Sequence, residues 1–180
     1  MGFEIQILNW IQTLHTEAGD LLMPLITSLG DSGFIWIVLT AVLLVIPKTR
    51  KMGVVLLAAL VLDVVLCNGI IKNLVARTRP YDVNTAVQLL VRKPRDYSFP
   101  SGHTAASFAS VSALYFAGEK NLWKPALALA VLIACSRLYL YVHFPTDVLG
   151  GALLGVLCGY LGNRLVQKFL FTRIKERKEG

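Results

Sequence analysis

The chain has 180 residues, a length that suits one domain. Hydrophobic residues make up 55% and charged residues 16%, against roughly 45–50% and 25% in soluble domains, and the mean hydropathy of +0.60 excludes an ordinary soluble protein in favour of an integral membrane one. The net charge of +7 sits mainly in Lys48-Thr-Arg50-Lys51 and from Arg164 to Lys178; positive-inside topology and anionic lipid explain this more simply than a nucleic-acid-binding arm, so no nucleic-acid partner is expected.

Residues 3–15 carry apolar side chains at Phe3, Ile5, Ile7, Leu8, Trp10, Ile11 and Leu14, interrupted by Glu4, Gln6, Gln12 and His15. The pattern predicts an amphipathic helix lying in the membrane interface. The stretch lacks the basic n-region of a secretory signal, and Gln6 does not fit the myristoylation pattern after Gly2. A second short apolar piece, residues 20–29, is expected to break at Pro24 and end at Gly30. Spanning helices are then expected at about 32–47, 53–74, 101–117, 124–142 and 146–170. The first is short of the roughly 20 residues a bilayer needs, and it could start near Ser28. If residues 3–29 cross rather than lie flat, the count is six. The expected fold is all-α: a polytopic bundle of five to six membrane helices with an N-terminal amphipathic interfacial segment. It divides into interfacial helices (1–29), a helical bundle (30–170) and a basic cytoplasmic tail (171–180), all in one domain.

Cys67, Cys135 and Cys158 fall in three different apolar runs without CxxC spacing, which argues against a disulfide framework or zinc site and for small core residues. Gly151, Gly155 and Gly159 recur every four residues in the last helix, and that stripe predicts close helix packing. Lys48, Arg50 and Lys51, then Lys120 and Lys124, then the tail all fall on one side of the predicted topology, which the positive-inside rule makes cytoplasmic. The loop from 75 to 100 is basic too, with Arg77, Arg79, Arg92, Lys93 and Arg95. It lies on the opposite side, where substrate binding would account for its charge.

Three strings on that side carry chemistry: Lys72-Asn-Leu-Val-Ala-Arg-Thr-Arg79-Pro80, Pro100-Ser101-Gly102-His103, and Ser136-Arg137-Leu-Tyr-Leu-Tyr-Val-His143-Phe-Pro-Thr-Asp147. Lys72 and Arg79 are two helical turns apart and share a face if the helix continues, although Pro80 disfavours helix at Arg79. Alone they also read as snorkelling cations at a helix end. Ser101 is placed to cap a helix whose free N–H groups, beside the bare Gly102, can receive an anion. His143 and Asp147 can form a pair in which the carboxylate orients the imidazole, and Asp147 equally suits a helix cap. Charges at membrane depth are costly. Three cations suit a phosphate, and two histidines with one carboxylate suit a nucleophile, an acid/base and an orienter.

In order and spacing these strings resemble the three-part signature of the type-2 phosphatidic acid phosphatase (lipid phosphate phosphatase) superfamily, membrane branch. Every signature position is filled, over Lys72–Asp147, about two-fifths of the chain. The resemblance implies that His143 attacks phosphorus to give a phosphohistidine and that Asp147 orients it. It implies that His103 protonates the leaving oxygen and then activates water, and that Lys72, Arg79, Ser101, Gly102 and Arg137 bind the phosphoryl oxygens. The implied substrate is a lipid phosphate or diphosphate in the cell membrane, met at its outer face: a polyprenyl diphosphate such as undecaprenyl diphosphate, phosphatidylglycerol phosphate, or phosphatidic acid.

No carboxylate cluster has magnesium spacing, so neither metal nor other cofactor is expected. The same residues would serve a phosphotransferase, and vanadate-dependent halogenation or a non-enzymatic lipid transporter are further readings of the layout. Asp63, mid-run in the second spanning segment, reads as a satisfied polar contact between helices. Loop 81–99, with Leu89, Leu90, Arg92, Lys93 and Arg95, is expected to shape the headgroup site.

Overall fold

The computed structural model describes the backbone of residues 2–179 and the side chains of residues 2–169. The basic side chains of the predicted tail at 171–180 lie outside the described residues. Among those described, all regular structure is helical.

Helix α1 (Phe3–Gln12) buries Ile5 and Leu8 and turns Phe3 and Trp10 outward, the two-faced arrangement its periodicity predicts. Helix α2 (Glu17–Ser28) starts at Thr16, whose hydroxyl accepts from the Gly19 N–H at 3.1 Å. It does not break at Pro24, as the sequence suggested, but continues through it. The bend comes later, in a 3₁₀ turn, Asp31–Gly33, where Ser32 and Gly33 take left-handed conformations. Helix α3 (Phe34–Val45) follows, and Glu17–Ser28 with Asp31–Val45, bent by 45° between them, are together long and apolar enough for a broken span or a re-entrant pair.

Helix α4 (Arg50–Asp63) runs on through a π-helical stretch, Val64–Ile71, into α5 (Lys72–Val75). The expected single segment 53–74 is therefore present, but its last third is underwound, a feature frequent at functional sites. Left-handed Ala76 ends it, before Pro80 is reached. Lys72 and Arg79 consequently do not share one helical face; the chain turns at Ala76 and brings Arg79 back. Arg79 is extended, as a residue before proline should be, and α6 (Pro80–Val83) follows.

Helices α7 (Gly102–Phe116), α8 (Trp123–Tyr139) and α9 (Pro145–Glu179) complete the bundle. By length and composition, Arg50–Val83 and Pro145–Phe169 can each cross a membrane, besides the bent pair. Helix α7 sits at the centre, packed by α9, α8 and α4. The glycine stripe makes this possible: a Cβ on Gly155 would stand 2.3 Å from the Ala105 carbonyl oxygen. A Cβ on Gly151 would stand 2.6 Å from the Ser101 carbonyl oxygen just before α7, one on Gly159 2.6 Å from the Ala113 nitrogen, and Gly162 meets Ala59 of α4. Trp36, Leu56, Leu114, Ile133 and Cys158 fill the space between, and Trp36 Nε1 donates to Ser107 Oγ at 3.0 Å. Cys67 and Cys158 are buried, but Cys135 faces outward and is no core residue. The outer surface carries Val38, Val42, Val61, Leu153 and Leu157, an apolar coat that only lipid would match.

Candidate active site

The three strings meet at one end of the bundle, around a cavity of about 930 Å³. Lys72, Arg79, Gly102, His103, Arg137 and His143 all reach its wall, and Ile37, Leu60, Val64 and Ala106 form an apolar side. Asp147 and Ser101 stand behind the wall, fully buried.

His143 lies in the short connection between α8 and α9 and is 1% exposed. Its Nε2 is 3.2 Å from Arg79 Nη1. A guanidinium can only donate, so Nε2 must carry the lone pair and Nδ1 the proton. Nδ1 faces Asp147 Oδ2 at 3.5 Å, within ion-pair range but too long for a hydrogen bond, and it has no other partner. Burial, and then the guanidiniums of Arg79 and Arg137, hold this imidazole well below its ordinary pKa. It is neutral at physiological pH.

Asp147 occupies the first turn of α9. Its Oδ2 accepts from the Phe144 N–H at 2.9 Å and from Ser98 Oγ at 2.5 Å. Asp147 is not the N-cap residue expected from the sequence: α9 begins two residues earlier, at Pro145, and from its first turn Asp147 reaches back to the Phe144 N–H while facing His143. Its Oδ1 accepts from Arg77 Nη1 at 2.6 Å. Arg77 also donates to Thr146 Oγ1 at 2.6 Å and, from Nη2, to Glu4 Oε2 at 2.5 Å, and it stacks on Phe144 at 4.0 Å. Glu4 in turn accepts from the Thr146 N–H at 3.0 Å. One guanidinium thus ties helix α1 to the loop that carries His143. Tyr141, two residues before His143, is left-handed and held by its hydroxyl against Asn9 and Asn84.

Ser101 sits at the N-cap of α7, but its side chain caps nothing; its Oγ accepts from Thr104 Oγ1 at 3.0 Å. A Cβ on Gly102 would stand 3.2 Å from Asn68 Oδ1, on the π-helical stretch. His103 Nε2 is 2.9 Å from Asp31 Oδ1. Gly30 lets His103 lie this close, since a Cβ there would stand 2.9 Å from its ring. Arg137, 4% exposed, gives Nη1 to Thr27 Oγ1 at 2.5 Å and leaves its Nε unpartnered. It has donors to spare for an anion.

Lys72 and Arg79 are already engaged. Both are buried, and both hold the carboxylate of Asp96: Lys72 Nζ contacts Oδ2, and Arg79 Nη2 contacts Oδ1 at 2.7 Å. Burial raises the Asp96 pKa, but the two cations outweigh it and bring the carboxyl down to about 2. Deeper in the cavity, Asp63 is 2% exposed and its Oδ1 has no hydrogen-bond partner, so the satisfied interhelical contact expected for it is not made. Among the described residues no cluster of His, Cys, Asp or Glu is arranged to hold a metal.

All eight signature residues converge here. Arg77, Glu4, Ser98, Asp96 and Asp31 also belong to the site; Arg77 stood out only as one of the loop's basic residues, and the other four carry no mark in the sequence. Arg77 lies inside the first string, at a position the signature leaves open. The others are brought in by turns that no periodicity encodes.

A membrane-embedded helical bundle with a buried imidazole facing convergent cations defines a phosphoryl-handling membrane protein, and the comparisons say which kind. The PAP2 superfamily model matches residues 50–171. The chain is 34% identical over 161 residues to the undecaprenyl-diphosphatase of Sulfolobus acidocaldarius, covering 89% of this chain and 77% of that one. Among solved structures, the transmembrane PAP2-type phosphatidylglycerolphosphate phosphatase of Bacillus subtilis superposes with a TM-score of 0.75 at 30% identity, covering 92% of this chain and 85% of that one. Aquifex aeolicus LpxE superposes with a TM-score of 0.76 at 29% identity, covering 91% and 96%. The chain belongs to the PAP2 superfamily, in its membrane phosphatase branch.

Proposed function

We propose that this protein hydrolyses the terminal phosphoryl group of a lipid diphosphate or phosphate through a phosphohistidine on His143. The observation that carries the reading is the unprotonated Nε2 of a buried, neutral His143, which lies at the cavity wall and accepts from Arg79 Nη1 until it turns to phosphorus. Nε2 attacks phosphorus while the N–P bond forms and the bridging P–O bond breaks. His103 gives the leaving oxygen its proton. Asp31, which holds His103 Nε2 in the free protein and is itself 66% exposed, yields that place to the leaving oxygen. The neutral His103 then takes a proton from water, which attacks the phosphohistidine, releases phosphate and restores Nε2. As Nδ1 gains positive character, it closes the 3.5 Å gap to Asp147. Lys72, Arg79 and Arg137, with the N–H group of Gly102, stabilise the charge on the transferred oxygens; the Ser101 N–H is held by the Asp147 carbonyl at 3.0 Å and fixes the start of α7 instead.

A lipid fits this cavity because its phosphate end is cationic and its other side apolar. Arg92 and Lys93 line the same cavity beyond the three buried cations, and this extra charge favours a diphosphate, as in the relative from Sulfolobus acidocaldarius. The Lys/Arg bias of the short loops supports a site at the outer face of the cell membrane. Phosphate release by the purified protein, in detergent with EDTA present, tests the reading. Polyprenyl diphosphate should be the best substrate, ahead of phosphatidylglycerol phosphate and phosphatidic acid. No release from any of the three would overturn it.

A further inference from the structure

The phosphoryl site already contains an anion of the protein's own. A guanidinium has five N–H bonds, and Arg79 uses all of them: Nε to the Asp96 carbonyl at 2.8 Å, Nη1 to the Val142 carbonyl at 2.7 Å and to His143 Nε2, and Nη2 to Asp96 Oδ1 and to the Tyr97 carbonyl at 3.3 Å. Lys72 adds its ammonium to the other Asp96 oxygen. A carboxylate held bidentately by an ammonium and a guanidinium presents two oxygens, as a phosphoryl group would. A phosphoryl group cannot be added to Arg79 in this state; it must replace a bond already made. The backbone partners of Arg79 are part of the fold. The Asp96 side chain is not: it hangs from the irregular loop between α6 and α7 and is 52% exposed on one side while its oxygens face in.

We propose that Asp96 is an internal competitor for the phosphoryl site, a carboxylate that fills the Lys72–Arg79 cradle until a substrate phosphate displaces it. The inference rests on the phosphatase reading above. Its consequence is a threshold on binding. A bilayer presents a large excess of phosphodiester headgroups, each with one negative charge, whereas a terminal phosphate near neutral pH carries close to two charges and more free oxygens. The competitor weakens every anion by the same factor, because that factor belongs to the free protein, so the ratio of monoester to diester affinity is unchanged. What falls is the fraction of sites held by a weakly bound diester headgroup or by product phosphate. The returning carboxylate also helps expel product phosphate.

Asp96→Asn, nearly isosteric, tests this through the sign of one effect. Hydrolysis of phosphatidic acid in non-ionic micelles is inhibited with inorganic phosphate and, separately, with phosphatidylmethanol, a plain monoanionic diester lipid. In D96N both inhibitors should bind tighter, on the order of tenfold and by a common factor. Phosphate should also raise the thermal unfolding midpoint of D96N more than that of wild type, a readout independent of turnover. D96A, checked for a cooperative unfolding transition, should repeat the pattern if D96N is poorly folded. Unchanged or weaker inhibition in the folded variants would overturn the proposal and make Asp96 a support for the cations. Wild-type protein inactive on every lipid phosphate would instead sink the phosphatase reading, and the thermal shifts would still report on the competitor.

Discussion

Arg77 is the residue whose removal should do most damage outside the signature. Its guanidinium joins three carboxylate or hydroxyl partners: Asp147 Oδ1 at 2.6 Å, Glu4 Oε2 at 2.5 Å and Thr146 Oγ1 at 2.6 Å. Asp147 is fully buried, whereas Arg77 and Glu4 are each about a quarter exposed. In Arg77→Met the Glu4 carboxylate can turn to water, but Oδ1 of Asp147 cannot. Stripping one partner from a buried pair costs about 3–5 kcal/mol. Ser98 and the Phe144 N–H still satisfy Oδ2, which places the loss at the lower end, about 3 kcal/mol. The same change frees the segment that positions His143, so kcat should fall on the order of 10²-fold while KM changes little. Arg77→Lys keeps the charge but cannot reach three partners, and should fall between. Reversible unfolding in mixed micelles and steady-state phosphate release measure the two effects. An R77M protein within 0.5 kcal/mol of wild type and within about twofold in kcat would refute the clamp.

Gly155→Ala should separate α9 from α7 and destabilise the protein by about 1–3 kcal/mol, because the atoms its Cβ would meet, at 2.3 and 2.8 Å, are backbone; Gly69→Ala, with nothing nearer than 3.7 Å, should be neutral in the same thermal assay. The Asp96 pair should give a pH-dependent stability of definite sign. Its carboxyl titrates at about 2 when folded and near 3.9 when unfolded, so the pairing stabilises fully above about pH 4 and is lost as pH falls through 2. The gap in unfolding midpoint between wild type and D96N should be constant from pH 5 to 7 and shrink below about 4; a gap that widens in acid would contradict the assignment. For sidedness, a cysteine-free chain carrying Thr85→Cys should react with an impermeant thiol reagent in intact cells, and one carrying Lys51→Cys should not. The reverse pattern would put the site on the cytoplasmic face.

Much of this molecule is legible in its sequence because the membrane removes alternatives. Long apolar runs must be helices there, so α3, α7 and α8 fall within a few residues of their expected places, and α4 with its π-helical continuation and α5 covers the expected 53–74; α9 starts where expected but runs on to Glu179, through the stretch expected as a tail. The glycine spacing also read correctly, since small residues every fourth position have one packing consequence. What escaped is local backbone geometry. Pro24 looked like a helix end because its missing N–H usually is one, but α2 absorbs that loss and the real turn lies at Ser32 and Gly33. Lys72 and Arg79 looked like neighbours on a helix, but they meet because Ala76 is left-handed. Ser101 had the composition of a cap and the correct place, but its hydroxyl bonds to Thr104. The signature residues were visible because their spacing is a pattern. Asp96, Asp31 and Glu4 were not, because each reaches the site from a segment whose course is set by tertiary packing. Asp63, read from the sequence as a satisfied contact between helices, instead lines the cavity with an unpaired oxygen.

The central claim, covalent catalysis by His143, is tested most directly by trapping the intermediate. Purified protein is mixed with a lipid substrate labelled with ³²P in its terminal phosphate, quenched in alkali within milliseconds, and digested for peptide mapping. Wild type should carry label that survives base and is released by acid, the behaviour of an N–P bond, on the peptide containing His143. His103→Ala should accumulate more of it with a substrate whose leaving group needs no proton, because water attack is then slow. His143→Ala should carry none and should lose on the order of 10⁴-fold or more in kcat. Label at the same level in H143A, or turnover within tenfold of wild type, would contradict the account.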